Sequence, residues 1–195
     1  ITPGYHSLKL DRYQITAALT STKRVGFHQY TFPVKGQKAV LFNLNTILGP
    51  CENTEGKLEK NNDYELSGSL VLSTNFRRPK PLTVFFKVKT KEPITSVEKD
   101  NTTGNFLVYF NEKTPTVLMK VGISYTSIEN ANNNIETELP HWDFNKTVSD
   151  SKKEWSDLLG RIQIEGGTQT DQRRFYTDLW HALQGRKMIS DANGA

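Results

Sequence analysis

The hydrophobic period of this chain changes once, near residue 127, and that change limits the folds open to it. From Tyr5 to Ser127 apolar residues come in short runs separated by Gly, Pro, Asn and Asp. The runs predict strands at Tyr5–Leu10, Ile15–Thr20, Arg24–Phe32, Ala39–Leu44, Tyr64–Leu72, Leu82–Thr90, Asn105–Phe110 and Val117–Tyr125. Many short strands with turn signals and no helix between them predict a mainly β chain, an antiparallel β-sandwich. Ala39–Leu44 is nearly all apolar, which predicts a central strand covered on both faces.

After Ser127 the apolar residues step by three or four. Ile128, Ala131, Ile135 and Leu139 predict a short helix closed by Pro140, with Asn132, Asn133 and Asn134 as weak helix formers in its middle. Val148, Trp155, Leu158 and Leu159 form the stripe of a second helix, from Val148 to Leu159, that Gly160 stops. Arg161–Glu165 reads as a short strand broken by Gly166 and Gly167. A third helix starts after Thr168, where Asp171 three residues on completes a capping box. Phe175, Tyr176, Leu179, Trp180 and Leu183 supply its apolar face. Strands first and helices afterwards indicate separate domains or an α+β arrangement, with the boundary between about 130 and 165.

Composition excludes several functions. The single cysteine, Cys51, permits no intrachain disulfide and reads as a small buried or half-buried hydrophobe. His6, His28, His141 and His181 stand at no metal-ligand spacing. A net charge of +4 is mild, and the densest basic stretch, Phe76–Pro81, carries two prolines, so no nucleic-acid partner is expected. No apolar run approaches the length of a membrane span, so no transmembrane segment is expected. Glu165–Thr168 lacks the ending of a phosphate loop, and no serine sits in a nucleophile elbow.

Two stretches retain chemical interest. Arg24, Gly26, His28 and Tyr30 share one strand face by the two-residue period. Such a face can line a sugar site, pack on another domain or meet solvent, and Gly26 in mid-strand suggests a close approach or a bulge. Asp191–Gly194 opens like a calcium loop, but its Asn193-Gly194 pair equally makes a type I′ or Asx turn. Glycosidic hydrolysis needs paired carboxylates, and the scattered acidic residues supply no pair.

Three stretches together resemble a known family. The first runs from Pro3-Gly4-Tyr5-His6-Ser7-Leu8-Lys9-Leu10 through Ala18-Leu19-Thr20 to Arg24-Val25-Gly26-Phe27-His28-Gln29-Tyr30-Thr31-Phe32-Pro33. The second is Val121-Gly122-Ile123-Ser124-Tyr125, then Asn130-Ala131 and Leu139-Pro140-His141-Trp142-Asp143-Phe144. The third holds Trp155–Leu159, Ile164-Glu165-Gly166-Gly167-Thr168, Phe175-Tyr176-Thr177-Asp178-Leu179-Trp180-His181 and Ser190-Asp191-Ala192-Asn193-Gly194. In this order the chain resembles the α-mannosidases of glycoside hydrolase family 92; about Ile47 to Asn62 matches poorly and reads as a variable loop.

The resemblance implies an N-terminal β-sandwich (1–145), a linker helix and short strand (146–165) and the first helix of an (α/α)6 catalytic barrel (166–195). It implies an exo-acting, inverting, calcium-dependent α-mannosidase, an α-1,2-mannosidase, acting on mannose-containing glycans. It further implies a secreted, periplasmic or cell-surface place in a bacterium, with the rest of the barrel as partner. The acid, base and calcium ligands are expected downstream of Ala195, so this chain alone is expected to be inactive, with no catalytic residue and no metal ligand. Its substrate-binding or interdomain candidates are Arg24, His28, Tyr30, His181, Asp191 and Asn193. Two further readings remain: a stand-alone sugar-binding module that stacks sugars on Trp142 or Tyr30, and an adhesion sandwich, which the helical tail disfavours. The enzyme reading expects an exposed apolar patch at Phe175, Leu179, Trp180 and Leu183.

Overall fold

The structure, a computed structural model, describes residues 2–48, 51–76, 78–185 and 188–195. Arg77 of the basic stretch and the side chain of Cys51 lie outside that description. The strands are β1 (His6–Leu10), β2 (Ile15–Ser21), β3 (Val25–Thr31), β4 (Lys38–Phe42), β5 (Ile47–Leu48), β6 (Cys51–Asn62), β7 (Glu65–Leu72), β8 (Leu82–Thr90), β9 (Ile94–Lys99), β10 (Phe106–Phe110) and β11 (Thr116–Ser124). Three helices follow: α1 (Ile128–Glu138), α2 (Phe144–Leu159) and α3 (Gln169–Gln184).

All strand pairings are antiparallel. One sheet runs β1-β2-β3-β11-β8-β7-β6-β5, and a smaller one runs β4-β10-β9. Alternation along each strand sends one set of side chains between the sheets. Leu66, Phe86, Val88, Val117 and Met119 from the large sheet meet Ile94, Phe106, Val108 and Phe110 from the small one. The opposite face of the large sheet carries a second core, in which Val25 and Phe27 pack under Ile135, Leu139 and Phe144. Phe27 meets Phe144 edge-on, with ring centroids 5.2 Å apart.

Helix α1 reaches the sheet over Gly122. A Cβ there would stand 2.4 Å from the Ala131 carbonyl oxygen and 2.6 Å from Ile135 Cγ1. The glycine singled out by sequence, Gly26, is less constrained by backbone. A Cβ there would meet the His28 ring, whose Nε2 lies 2.9 Å away. The close approach at Gly26 is therefore by a side chain of its own strand, and no bulge is needed.

Several expectations change. β4 is an edge strand of the small sheet, not a central one, and Leu41 is 57% exposed. Val40 and Phe42 do face the core, so the unbroken apolar run conceals an ordinary alternation. β6 replaces the variable loop over 51–62. It is mostly polar, its Leu58 is buried, and backbone pairing with β7 holds it through two register shifts. β9 has only Ile94 and Val97 for its core face, and its ladder to β10 shifts near Phe110. Residues 161–165 form no strand. α2 begins at Phe144, earlier than the stripe suggested, because the Asp143 side chain accepts from the Lys146 amide as N-cap. The capping box at Thr168 and Asp171 is present.

Lys120 is buried beneath α1. Its Nζ donates to the Leu139 carbonyl at 2.8 Å and sits 4.0 Å from the Trp142 ring centroid. Burial pulls its pKa down to about 8; the Glu136 carboxylate opposes that shift and the Lys89 ammonium adds to it.

Two outcomes follow from this packing. G122A must push α1 off the sheet and is expected to destabilise by about 1–3 kcal/mol, as overpacked cores do, read from denaturant unfolding. G26A, which meets only a side chain, is expected to do less harm. For Lys120, the folded chain releases its proton near pH 8 and the unfolded chain near 10.5. Between those values the unfolded state binds more protons, so stability rises with pH: the cost of burying the charged group is fully present below about pH 8 and is relieved as pH rises toward 10.5. In K120M that part of the rise should disappear from the pH dependence of the denaturation midpoint.

Candidate functional site

Five of the six candidate residues fall into two groups, and the sixth, His181, stands apart. The first group gathers where β3 starts, β11 ends and the segment after α3 returns. Arg24 Nη1 lies 2.5 Å from Glu138 Oε1 near the end of α1. Glu138 Oε2 accepts from Thr22 Oγ1 at 2.6 Å and from the Arg24 amide at 3.0 Å. The Arg24 Nε donates to the Ser190 carbonyl at 2.6 Å, and Nη2 lies 2.8 Å from Met188 Sδ. Burial alone raises the Glu138 pKa, but the hydrogen bonds from Thr22 and Arg24 and the guanidinium charge outweigh it and leave the pKa below 4.5.

Asp191 is 3% exposed. Its Oδ2 accepts from Ser124 Oγ at 2.7 Å and Thr126 Oγ1 at 2.6 Å, and its Oδ1 accepts from Asn134 Nδ2 at 2.7 Å. Asn134 also donates to the Ile123 carbonyl and accepts the Ala192 amide. Burial raises the Asp191 pKa, but the three donors and the Arg24 charge outweigh it, so the net shift is downward. Asn193 Nδ2 donates to Asn130 Oδ1 at 2.9 Å. The segment is a turn: the Gly194 amide donates to the Asp191 carbonyl, and the Ala195 amide to Asn193 Oδ1 as in an Asx turn. Asn193 has no positive φ, so the turn is not type I′.

The second group is His28 and Tyr30. His28 Nδ1 lies 2.8 Å from the Tyr30 hydroxyl. Burial lowers the His28 pKa and raises that of Tyr30, which favours both neutral forms. His28 borders an open cleft of about 550 Å³ with His6, Trp155, Trp180 and Gln184 on its walls. Tyr30 packs against the core between the sheets. His181 is exposed on α3, its ring 5.0 Å from that of Trp180, and joins neither group. A further cleft of about 400 Å³ runs past Arg24 and Glu138 to His141, Asp150 and Glu154.

Sequence reading missed Glu138, Asn134, Asn130, Ser124 and Thr126. Asn130, Asn134 and Glu138 recur every four residues and so share one face of α1, a polar stripe hidden in what looked like weak helix formers. Among the described residues no three His, Cys, Asp or Glu side chains are grouped to hold a metal. Asp191 has its oxygens filled by hydroxyl and amide donors beside a guanidinium, a setting that does not fit a calcium ligand.

The expected apolar patch on α3 is altered. Phe175, Leu179, Trp180 and Leu183 are half-buried rather than fully exposed, while Ile162, Met188 and Ile189 are exposed.

The Arg24–Glu138 pair is mostly shielded, with side chains 13% and 12% exposed. R24A leaves Glu138 with the Thr22 hydroxyl and the residue-24 amide but without its counter-charge, and should destabilise by about 1–3 kcal/mol in calorimetry or denaturant titration. Because the folded pKa of Glu138 is lowered, its stabilising part is present above pH 4.5 and lost as pH falls below that value. E138Q should flatten that acid limb.

The match to known proteins is extensive. Residues 1–124 match the glycosyl hydrolase family 92 N-terminal domain, and residues 130–195 match the glycosyl hydrolase family 92 catalytic domain. Two solved structures from Bacteroides thetaiotaomicron share the fold. The family GH92 α-mannosidase BT3965 is 21% identical, with a TM-score of 0.83 over 98% of this chain and 28% of its own. The family GH92 inverting mannosidase BT2199 is 19% identical, with a TM-score of 0.81 over 99% of this chain and 27% of its own. An uncharacterized secreted glycosidase of Arthroderma benhamiae is 23% identical over 93% of this chain, which spans 28% of that relative's length. With both domain matches present in order along one polypeptide, this chain belongs to glycosyl hydrolase family 92.

Proposed function

We propose that this chain is the non-catalytic N-terminal portion of a secreted α-mannosidase that removes terminal mannose from glycans. The observation that carries the reading is the pair of domain matches, with the catalytic match beginning at residue 130. The neighbouring structures bear the names of α-mannosidases, and one is named as inverting. Secretion is supported by the fungal relative, which is named as a secreted glycosidase. Among the described residues no helix is long and apolar enough to cross a membrane. An α-1,2 linkage, dependence on calcium and a bacterial periplasm or cell surface are the narrower parts of the proposal.

Inversion needs an acid and a base on opposite sides of the sugar, with room between them for a water, about 6.5–9.5 Å. Glu138 and Asp191 do not meet that need. Both pKa values are lowered, so both are ionised at neutral pH and neither is a general acid. Their oxygens are also engaged by donors, which leaves neither poised to activate water. The proposal therefore places the chemistry in the remainder of the catalytic domain and gives this chain a framing role. A division at 1–145, 146–165 and 166–195 belongs to the same proposal, supported by the way α1 and the start of α2 pack on the large sheet.

A stand-alone sugar-binding module loses its two stacking candidates. Trp142 packs edge-on to Phe27 and carries the Lys120 ammonium over its ring, while Tyr30 faces the inter-sheet core.

Incubated with an α-1,2-linked mannobiose and calcium, the 195-residue chain is expected to release no mannose. A longer chain that includes the rest of the catalytic domain is expected to release it, with the inverted anomer seen first by NMR. Release by the short chain would overturn the placement of the chemistry.

A further inference from the structure

We propose that Asp191 is a positioning residue: its buried carboxylate fixes the segment after α3 to the sandwich, and thereby sets where α3 stands against the large sheet. The inference rests on the glycosidase reading only for its effect on catalysis.

The donors that hold Asp191 all come from the far side of the contact. Ser124 ends β11, Thr126 lies between β11 and α1, and Asn134 is in α1. Asn134 is fully buried and uses both ends of its amide, giving Nδ2 to Asp191 and taking the Ala192 amide on Oδ1. Arg24, just before β3, donates to the Ser190 carbonyl, and Asn130 accepts from the Asn193 side chain. Together these hold the Ser190 carbonyl, the Asp191 carboxylate, the Ala192 amide and the Asn193 side chain. Hydrogen bonds to an ionised acceptor are stronger than neutral ones, and an unpaired buried partner carries the full desolvation penalty.

Among the described residues, little else holds α3. None of its residues is buried. Its contacts with α2 include the edge-on meeting of Trp155 and Trp180, with ring centroids 6.4 Å apart. Its N-terminal half is tied through Tyr176 to the Ile162 carbonyl and through Gln172 to the Gly166 carbonyl, both within the same connecting stretch. Among the described residues, the socket at residue 191, with the flanking bonds of Ser190 and Asn193, ties the segment after the helix to β11 and α1.

The geometry also calls for a carboxylate. Two hydroxyls converge on Oδ2 while an amide N–H arrives at Oδ1. An asparagine here has one oxygen only. Its nitrogen faces either the Asn134 donor or the two hydroxyls, which must then turn to accept. D191N is thus expected to be weaker than Asp but better than Ala.

The test has two arms. In the 195-residue chain, hydrogen exchange is followed at the Ala192 and Gly194 amides and along α3, with the exciton couplet of the tryptophan pair read by circular dichroism. D191A is expected to speed exchange at Ala192 and in α3 by about tenfold or more, the loss expected for hydrogen bonds to a charged group. It should weaken the couplet and leave β3 and β11 protected. N134A should behave alike, and the double variant should be no worse than D191A, because the two residues act as one unit. In a longer chain with the rest of the catalytic domain, D191A should lower kcat on the mannobiose while KM changes little, with D191N intermediate. T126V, which removes one donor and keeps the side-chain shape, should show the same pattern in smaller measure even if D191A does not fold.

Unchanged exchange and couplet in D191A, or in T126V where D191A does not fold, would overturn the inference. So would an unaltered kcat accompanied only by a lower Tm. If the longer wild-type chain releases no mannose, the glycosidase reading fails, and the exchange arm still decides the role of Asp191.

Discussion

A strand at the middle of a sheet has two faces to cover, and in this chain β11 meets that demand in two different ways. Toward the small sheet it presents Val117 and Met119, which interlock with Phe106, Val108 and Phe110. Toward the helices it presents Lys120 and Gly122, with Leu118 at the border of the second core. The absence of a side chain at residue 122 lets the backbone of α1 touch the sheet, and Ile135 then closes over Val25 and Phe27. α1 in turn carries Asn130, Asn134 and Glu138, so the polar contacts of the site inherit their placement from that one contact.

The helix-facing side of the sheet is unusual in being basic. Lys87, Lys89 and Lys120 project there, beside Glu65 and Glu136. Each cation finds a different answer to lost water. Lys87 pairs with Glu65 and Asn61, Lys89 is shared between Glu65 and Glu136, and Lys120 takes a helix-end carbonyl and an indole face. Burial lowers the Lys120 pKa, and the Glu136 carboxylate offsets that only in part. Such a face suits a cover built from a helix rather than a second sheet, since the C-terminal carbonyls of a helix accept cations.

Much of the fold was legible because alternation and turn chemistry are local. Strands β1 to β3, β7, β8, β10 and β11 follow from period-two patterns, and α1 and the capped start of α3 from period and capping residues. The failures share a cause. β6 and β9 are held by backbone ladders with few apolar side chains, and β4 has an apolar residue on its exposed face, so pattern alone misplaces all three. The site was half legible. Arg24, Asp191 and Asn193 stood out by type, yet their partners on α1 read as poor helix formers. Only the crossing of α1 over the end of β11 shows that Asn134 is a hub rather than a defect.

The register of β3 against β11 has a consequence for synthesis. Thr31 pairs with Thr116 and Val25 with Gly122, so β3 meets its inner neighbour about 90 residues after it is made. At ribosomal speeds of roughly 5–20 residues per second, the nascent sheet waits roughly 5–20 s with β3 as a bare edge and with Val25 and Phe27 uncovered. An unpaired apolar edge is a template for joining other chains. Through that interval β6, β7 and β8 can already pair with one another, but β3 keeps its inner edge open until β11 emerges.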